Sequence, residues 1–225
     1  MPGPGARSSA GFVERLAAAR IGTTYNFYRD GERAPLLRER LRAYLEERAG
    51  ANLILVAEAP GYRGTRISGI PLTSERQLGG EGPSEATASV VHRALAELEL
   101  EASVLLWNVV PTHPGGERSN RRPTRPEIEA GLPYALALAR GRRVVTLGRI
   151  AQQALGGDYL RHPAHGGASE FRRGLQALRL PRGPLRSGEA PCGAASIVRS
   201  AGTACAVLPG PSHEDLQRQD RRDHA

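Results

Sequence analysis

Three polar side chains at the ends of apolar runs carry most of the chemistry this sequence offers. Glu58 follows the run Asn52-Leu-Ile-Leu-Val-Ala57 and precedes Ala-Pro-Gly61. A carboxylate there, with a tight turn behind it, can hold a water or stabilise a cationic sugar, and partial burial raises its pKa. Its competing use is as a loop carboxylate that accepts N–H groups of its own turn. Asn108 follows Ser103-Val-Leu-Leu-Trp107. Its amide has both a donor and an acceptor, which suits reading the edge of a nucleobase and equally suits capping the strand end with local backbone bonds. His162 stands between Tyr159-Leu-Arg161 and Pro163. An imidazole there can donate to an oxygen that gains negative charge, an interaction worth roughly 3–4 kcal/mol when preorganised, or serve as a hydrogen-bonded, partly buried structural residue. His165 with Gly166-Gly167 makes a short permissive loop that opens a helix and suits close approach of a phosphate. His92 and His113 have no partner nameable from the sequence and read as structural or surface residues.

The elements that must position these residues repeat along the chain. Short apolar runs at residues 52–57, 103–107, 143–147 and 159–161 read as strands buried on both faces. Between and around them lie amphipathic helical stretches. One covers residues 11–21, and another residues 35–49 with Leu36, Leu37, Leu41, Tyr44 and Leu45 on one face. A third is capped by Ser84 and places Val90, Val91, Ala94, Leu95 and Leu98 at helical spacing. Thr124-Arg-Pro-Glu127 is a capping box that opens a helix to about residue 140, and residues 149–155 and 168–178 complete the set. Alternation of this kind predicts βαβ units in a three-layer α/β/α sandwich around a four-stranded, mainly parallel sheet. Such folds bind ligands at the carboxyl ends of their strands, where Glu58, Asn108, Gly148 and His162 fall. The expected organisation is a flexible leader over residues 1–10, one domain over 11–178, and a disordered tail rich in Pro, Gly and Arg over 179–225.

Composition excludes several function classes. The 225 residues hold 31 basic and 23 acidic side chains, a net charge of +8, and no lysine, so every basic residue is arginine. A Walker-type phosphate loop and a lysine Schiff base are therefore both excluded. Two cysteines, Cys192 and Cys205, are too few for a zinc site of cysteines or a secreted disulfide framework, and the default is a metal-free intracellular protein. The charged amino-terminal stretch does not read as a signal peptide, and no apolar run approaches the ~20 residues of a membrane span. A soluble, cytoplasmic protein is expected. The positive charge favours an anionic partner, with nucleic acid the commonest. Aromatics make up only 4%, too few for a continuous stacking platform, so recognition of one base in a pocket with arginines on the backbone fits better. The long loop after Asn108 carries three arginines before Thr124, and loops of that length are usually functional or mobile.

These residues resemble the uracil-DNA glycosylase superfamily, most of all its bacterial family 4 branch. Ala57-Glu-Ala-Pro-Gly61 is similar to that branch's Gly-Glu-Ala-Pro-Gly, and Gly69-Ile-Pro-Leu72 to the Gly-x-Pro-Phe that stacks on the extruded base. Asn108-Val-Val110 resembles its base-reading Asn-Val-Val, Ser119-Asn-Arg-Arg-Pro-Thr124 its Asn-Arg-x-Pro, and Val144-Val-Thr-Leu-Gly148 its third-strand Leu-Gly. His162-Pro163-Ala164 resembles the His-Pro-Ser of its leaving-group loop. The six motifs run in the expected order over about residues 52–178. The chain also departs from that branch. It has no cysteine before Cys192, so the four-cysteine iron-sulfur cluster should be absent and no cofactor is expected. The acidic residue usually found just beyond the first motif is missing from Gly61-Tyr-Arg-Gly-Thr-Arg66. Leu72 replaces the stacking aromatic, so either an apolar contact suffices or another residue, Tyr62 or Phe27, supplies the ring, and Gly61 stands where the strictest uracil enzymes carry a Tyr that excludes thymine.

The resemblance implies base flipping followed by cleavage of the N-glycosidic bond, with DNA containing uracil or another deaminated base as the partner of a monomer. Glu58 and His162 would be catalytic, Glu58 positioning water or stabilising the sugar and His162 bonding O2 of the leaving base. Asn108, Leu72, Gly61 and Tyr62 would bind the base. Arg121, Arg122 and Arg161 would hold phosphates, and Pro163, Ala164, His165 and Gly166 would wedge into the duplex. Without lysine, the expected product is an intact abasic site. The rival readings are a non-catalytic binder of damaged or abasic DNA on the same fold and a small-molecule hydrolase using Glu58 and His162.

Overall fold

Four of the apolar runs become strands: β1 (Leu53–Ala57), β2 (Val104–Asn108), β3 (Arg143–Leu147) and β4 (Asp158–Leu160). The computed structural model describes residues 4–79, 81–164 and 166–178, so the expected tail lies outside the described residues. The sheet has the order β2-β1-β3-β4 and every pairing in it is parallel. The helices are α1 (Pro4–Ala18), α2 (Ala34–Glu47), α3 (Thr65–Ser68), α4 (Glu75–Gly79), α5 (Ala86–Glu97), α6 (Arg125–Ala139), α7 (Arg149–Leu155) and α8 (Ala168–Ala177). The chain steps one way from β1 to β2 and the other way to β3 and β4. Right-handed crossovers therefore put α5 on one face and α6 and α7 on the other. Packing agrees, with α6 against α7 and α5 against α8. The expected α/β/α sandwich is the observed architecture, and no helix of the described residues is long and apolar enough to cross a membrane.

Every residue of β1 and β2 is buried, although β2 is an edge strand. Two neighbours account for this. Phe12 of α1 packs edge-on against Trp107 with ring centroids 5.5 Å apart, and the Tyr44 hydroxyl of α2 accepts the Leu106 N–H at 2.6 Å, occupying a donor that an open edge would expose. The capping box at Thr124 is formed, with Glu127 accepting the Thr124 N–H at 2.8 Å.

The first helix differs from the expectation. It begins at Pro4, inside the stretch read as a flexible leader, and stops at Ala18 instead of reaching residue 21. Proline is well tolerated in a first turn, where its missing N–H has no partner to lose. The Asn26 side-chain amide then takes the carbonyls of Leu16, Ala17 and Ala19, so the end of the helix is satisfied from outside. Two further shifts are small but matter for the site. Strand β2 includes Asn108, paired with Ala57. Helix α5 starts at Ala86, with Glu85 rather than Ser84 at its N-cap.

Candidate active site

Parallel pairing brings the ends of β1 and β2 side by side. Asn108 is in register with Ala57, and the Val110 N–H donates to the Glu58 carbonyl at 3.0 Å, so Glu58 and Asn108 leave the sheet next to each other. The Glu58 carboxyl is half-buried. Burial pushes its pKa up, and the positive field of Arg122 opposes the rise. Asn108 is 1% exposed, and neither its Oδ1 nor its Nδ2 has a hydrogen-bond partner among the described residues. It does not cap the strand end with local bonds, which removes the competing reading of its sequence position. A buried amide with both ends unused costs about 1–3 kcal/mol, and such a group in a folded protein calls for an explanation.

The loop after β2 is pinned onto the turn that follows Glu58. His113, fully buried, sets Nδ1 2.8 Å from the Pro60 carbonyl and Nε2 2.9 Å from that of Gly116. Asn120 accepts the Tyr62 N–H at 2.9 Å, and Arg66 donates to the Glu117 carbonyl at 2.9 Å. The long loop is therefore a docked cover over the first motif. His113 is a clamp that sequence reasoning could place only as structural or surface, because its partner Pro60 is 53 residues away.

The segment ending at Leu72 is held in a strained turn. Leu72 has φ 52°, rare for a side chain of its size. Its N–H donates to Thr65 Oγ1 at 3.1 Å, the following Thr73 hydroxyl lies 2.9 Å from His92 Nε2, and Tyr28 donates to the Gly69 carbonyl at 2.8 Å. Burial and the nearby Arg48 push the His92 pKa down to about 4, so it is neutral at physiological pH. A strained residue fixed from several sides is common where a ligand is gripped. Leu72 is buried. Of the rings offered in its place, Phe27 is buried and packed against Tyr28 at 4.4 Å, while Tyr62 is half-buried with Arg63 over its ring at 5.5 Å.

His162 rests at the end of β4 against Gly148, where the left-handed φ of 88° admits only glycine comfortably. The Ala164 N–H donates to His162 Nδ1 at 3.2 Å. In the neutral ring this places the proton on Nε2, so the remaining nitrogen is a donor. Pro163 is buried, Ala164 half-buried and Gly166 exposed with φ 79°; His165 lies outside the described residues. The loop closes tightly at Gly167, where a Cβ would overlap the His162 carbonyl oxygen. Gly167→Ala is accordingly expected to cost about 1–3 kcal/mol of stability, read as a lowered melting temperature. An unchanged melting temperature would show that the loop can move aside.

The three arginines expected to hold phosphates are not equivalent. Arg121 is committed to Glu127 through two bonds of 2.6 and 2.8 Å and also donates to Thr23, so it builds the domain, and a phosphate would have to compete for it. Arg161 is paired with Glu170 at 2.7 Å, both exposed. Arg122 is exposed and forms no ion pair among the described residues, as do Arg63, Arg118 and Arg149, all on loops or helix starts beyond strand carboxyl ends. Cys192 and Cys205 lie outside the described residues, so the described domain has no thiolate to hold an iron-sulfur cluster. Among those residues no group of three or more His, Cys, Asp or Glu converges as a metal site would require.

Among the curated proteins nothing matches the chain. Solved structures do, among them the following two. The wild-type SMUG2 of Pedobacter heparinus is 14% identical with a TM-score of 0.55, covering 76% of this chain and 97% of its own. The wild-type UNG of Nitratifractor salsuginis is 16% identical with a TM-score of 0.38, covering 78% of this chain and 96% of its own. The first of these supports the fold. A model of the uracil DNA glycosylase superfamily matches residues 46–224, from the end of α2 through the whole sheet. With the first motif, Asn108 and His162 all inside that span, this chain belongs to the uracil DNA glycosylase superfamily.

Proposed function

We propose that the protein is a monofunctional DNA glycosylase of base excision repair that flips uracil, or a related deaminated base, out of DNA and hydrolyses its N-glycosidic bond, leaving an abasic site. The observation that carries this reading is the buried Asn108 amide, whose donor and acceptor are both unused. A pyrimidine edge entering beside it would supply an acceptor and a donor at once, which relieves the desolvation cost and selects bases by that pattern.

The other residues take their roles from position. Leu72, in its strained turn, and Tyr62 flank the base, and Gly61 lies in the turn beside it. As the C1′–N1 bond breaks, electrons pass to the base, and the Nε2–H of His162 donates to the oxygen that becomes negative. Glu58, next to Asn108, positions water or, as the carboxylate, stabilises the positive sugar. Arg122, with Arg63, Arg118 and Arg149 on neighbouring loops, contacts phosphates, and the loop of Pro163, Ala164 and Gly166 fills the gap in the stack. Without lysine, the abasic sugar is not captured as a lysine imine.

The test is base release from an end-labelled duplex carrying one uracil, in chelator, with strand scission read before and after hot alkali. Scission only after alkali is the expected result, and His162→Ala should slow release by about 10²–10³-fold. Scission without alkali would overturn the monofunctional assignment. Tight, salt-sensitive binding without release would make the chain a lesion binder instead.

A further inference from the structure

The turn 61–64 that follows Glu58 carries no acidic residue, yet a carboxyl group occupies its inner face. It belongs to Glu85, 24 positions after Gly61. Glu85 Oε1 lies 2.5 Å from where a Cβ on Gly61 would stand, and a Cβ on Gly64 would overlap Oε2. The two glycines thus leave the space that this carboxyl fills.

The local role open to Glu85 is one it does not take. As the N-cap of α5 it could accept an N–H of its own helix, but it makes no side-chain capping bond. Good caps contribute about 1 kcal/mol and are Ser, Thr, Asp or Asn, with Ser84 standing one position away. Its carboxyl also forms no hydrogen bond or ion pair among the described residues, although the chain is rich in arginine. It is half-buried, and burial raises its pKa with no cation to offset the rise. A carboxyl held over a glycine turn without a partner, at the end of the strand that delivers Glu58, has the properties of a base awaiting a proton.

We propose that Glu85 is a second catalytic carboxylate of this site, the general base that takes a proton from the attacking water. The inference rests on the glycosylase reading above and divides the labour between two carboxyls. Water oxygen bonds to C1′ of the sugar while its proton passes to Glu85. The C1′–N1 bonding pair leaves with the base, whose oxygen is held by His162, and Glu58 stabilises the positive sugar between them. The products are the abasic sugar and the free base, and no oxidant, metal or cofactor enters the balance.

The experiment compares wild type, Glu85→Gln, Glu58→Gln and Gly61→Ala in single-turnover base release at saturating enzyme, alongside affinity for the same uracil duplex and thermal melting. Glu85→Gln keeps size and polarity but cannot take the proton. It is expected to slow release at least about a hundredfold while affinity stays within about threefold. Gly61→Ala keeps the carboxyl but pushes it out of its seat, so it should slow release in the same direction, and it carries the test if Glu85→Gln fails to fold. Wild-type release by both variants, or a fall in affinity that matches the fall in rate, overturns the assignment of Glu85 and leaves the glycosylase reading intact. A wild-type protein that releases neither uracil nor hypoxanthine overturns the glycosylase reading, and the role of Glu85 with it.

Discussion

Replacing Asn108 with leucine is expected to abolish base release and at the same time to stabilise the folded protein by about 1–2 kcal/mol. The two effects have one cause. The Asn108 side chain is 1% exposed, and neither of its polar atoms has a partner among the described residues, so the fold bears a desolvation cost that leucine of similar size does not. Bound base relieves that cost, and leucine offers it nothing in return. Loss of a pocket group that donates and accepts should slow release at least about a hundredfold. Urea denaturation and single-turnover base release on the same preparation read both quantities. A variant that loses both stability and activity would mean that the amide is bonded in the native state, and the base-reading role would fall with the orphaned amide that supports it. Stability and function pulling in opposite directions at one buried residue is what a preorganised recognition group produces.

The second large effect concerns the architecture beneath the site. Arg121→Met should lower stability by about 3 kcal/mol at neutral pH, because it leaves the Glu127 carboxylate, 2% exposed, without the guanidinium that grips it. Arg121 itself is 37% exposed, which holds the loss to the lower end of what breaking a buried pair costs. The pair also fixes the sign of the pH dependence. The Arg121 bond, helped by the Thr124 N–H, pulls the Glu127 pKa from the usual 4.5 to about 2. Stability from this carboxylate is therefore fully present above pH 4.5 and is lost as pH falls toward 2. Denaturation midpoints of wild type and Arg121→Met should differ widely at pH 7 and converge as pH falls toward 2, where Glu127 is protonated in the wild type as well. A gap of the same size at every pH would mean that Arg121 contributes by packing alone. Neighbouring Asn120 holds the Tyr62 N–H, so a chain with a loosened Arg121 should also lose order in the turn above the base site.

Much of this molecule is determined by local sequence. Strands β1 and β2 are runs of five buried residues that no helical periodicity explains, the Thr124 box announces α6 within four residues, and alternation of strands with helices leaves few topologies open. Parallel strands then put Glu58, Asn108 and His162 at one end of the sheet, so the candidate site was legible as a set of polar residues at strand ends. Most of the superfamily motifs sit at those same ends for the same reason.

What the sequence could not determine is which polar group meets which. Arg121 reads as a free cation for phosphate until Glu127 and Thr23, 98 residues away from it, are seen to hold it. His113 has no partner until folding brings Pro60 to its ring. Glu85 reads as an ordinary helix-start residue beside a better cap until its carboxyl is found over Gly61 and Gly64. Propensity, capping and hydrophobic period act over a few residues and are written in the local sequence. Hydrogen bonds and ion pairs between loops depend on where the sheet carries their ends, and a contact across 50 or 100 residues leaves no period to read. The sequence by itself determined the elements and the end of the sheet at which chemistry can occur; the tertiary structure decided which side chains are consumed in building that end and which remain available to act there.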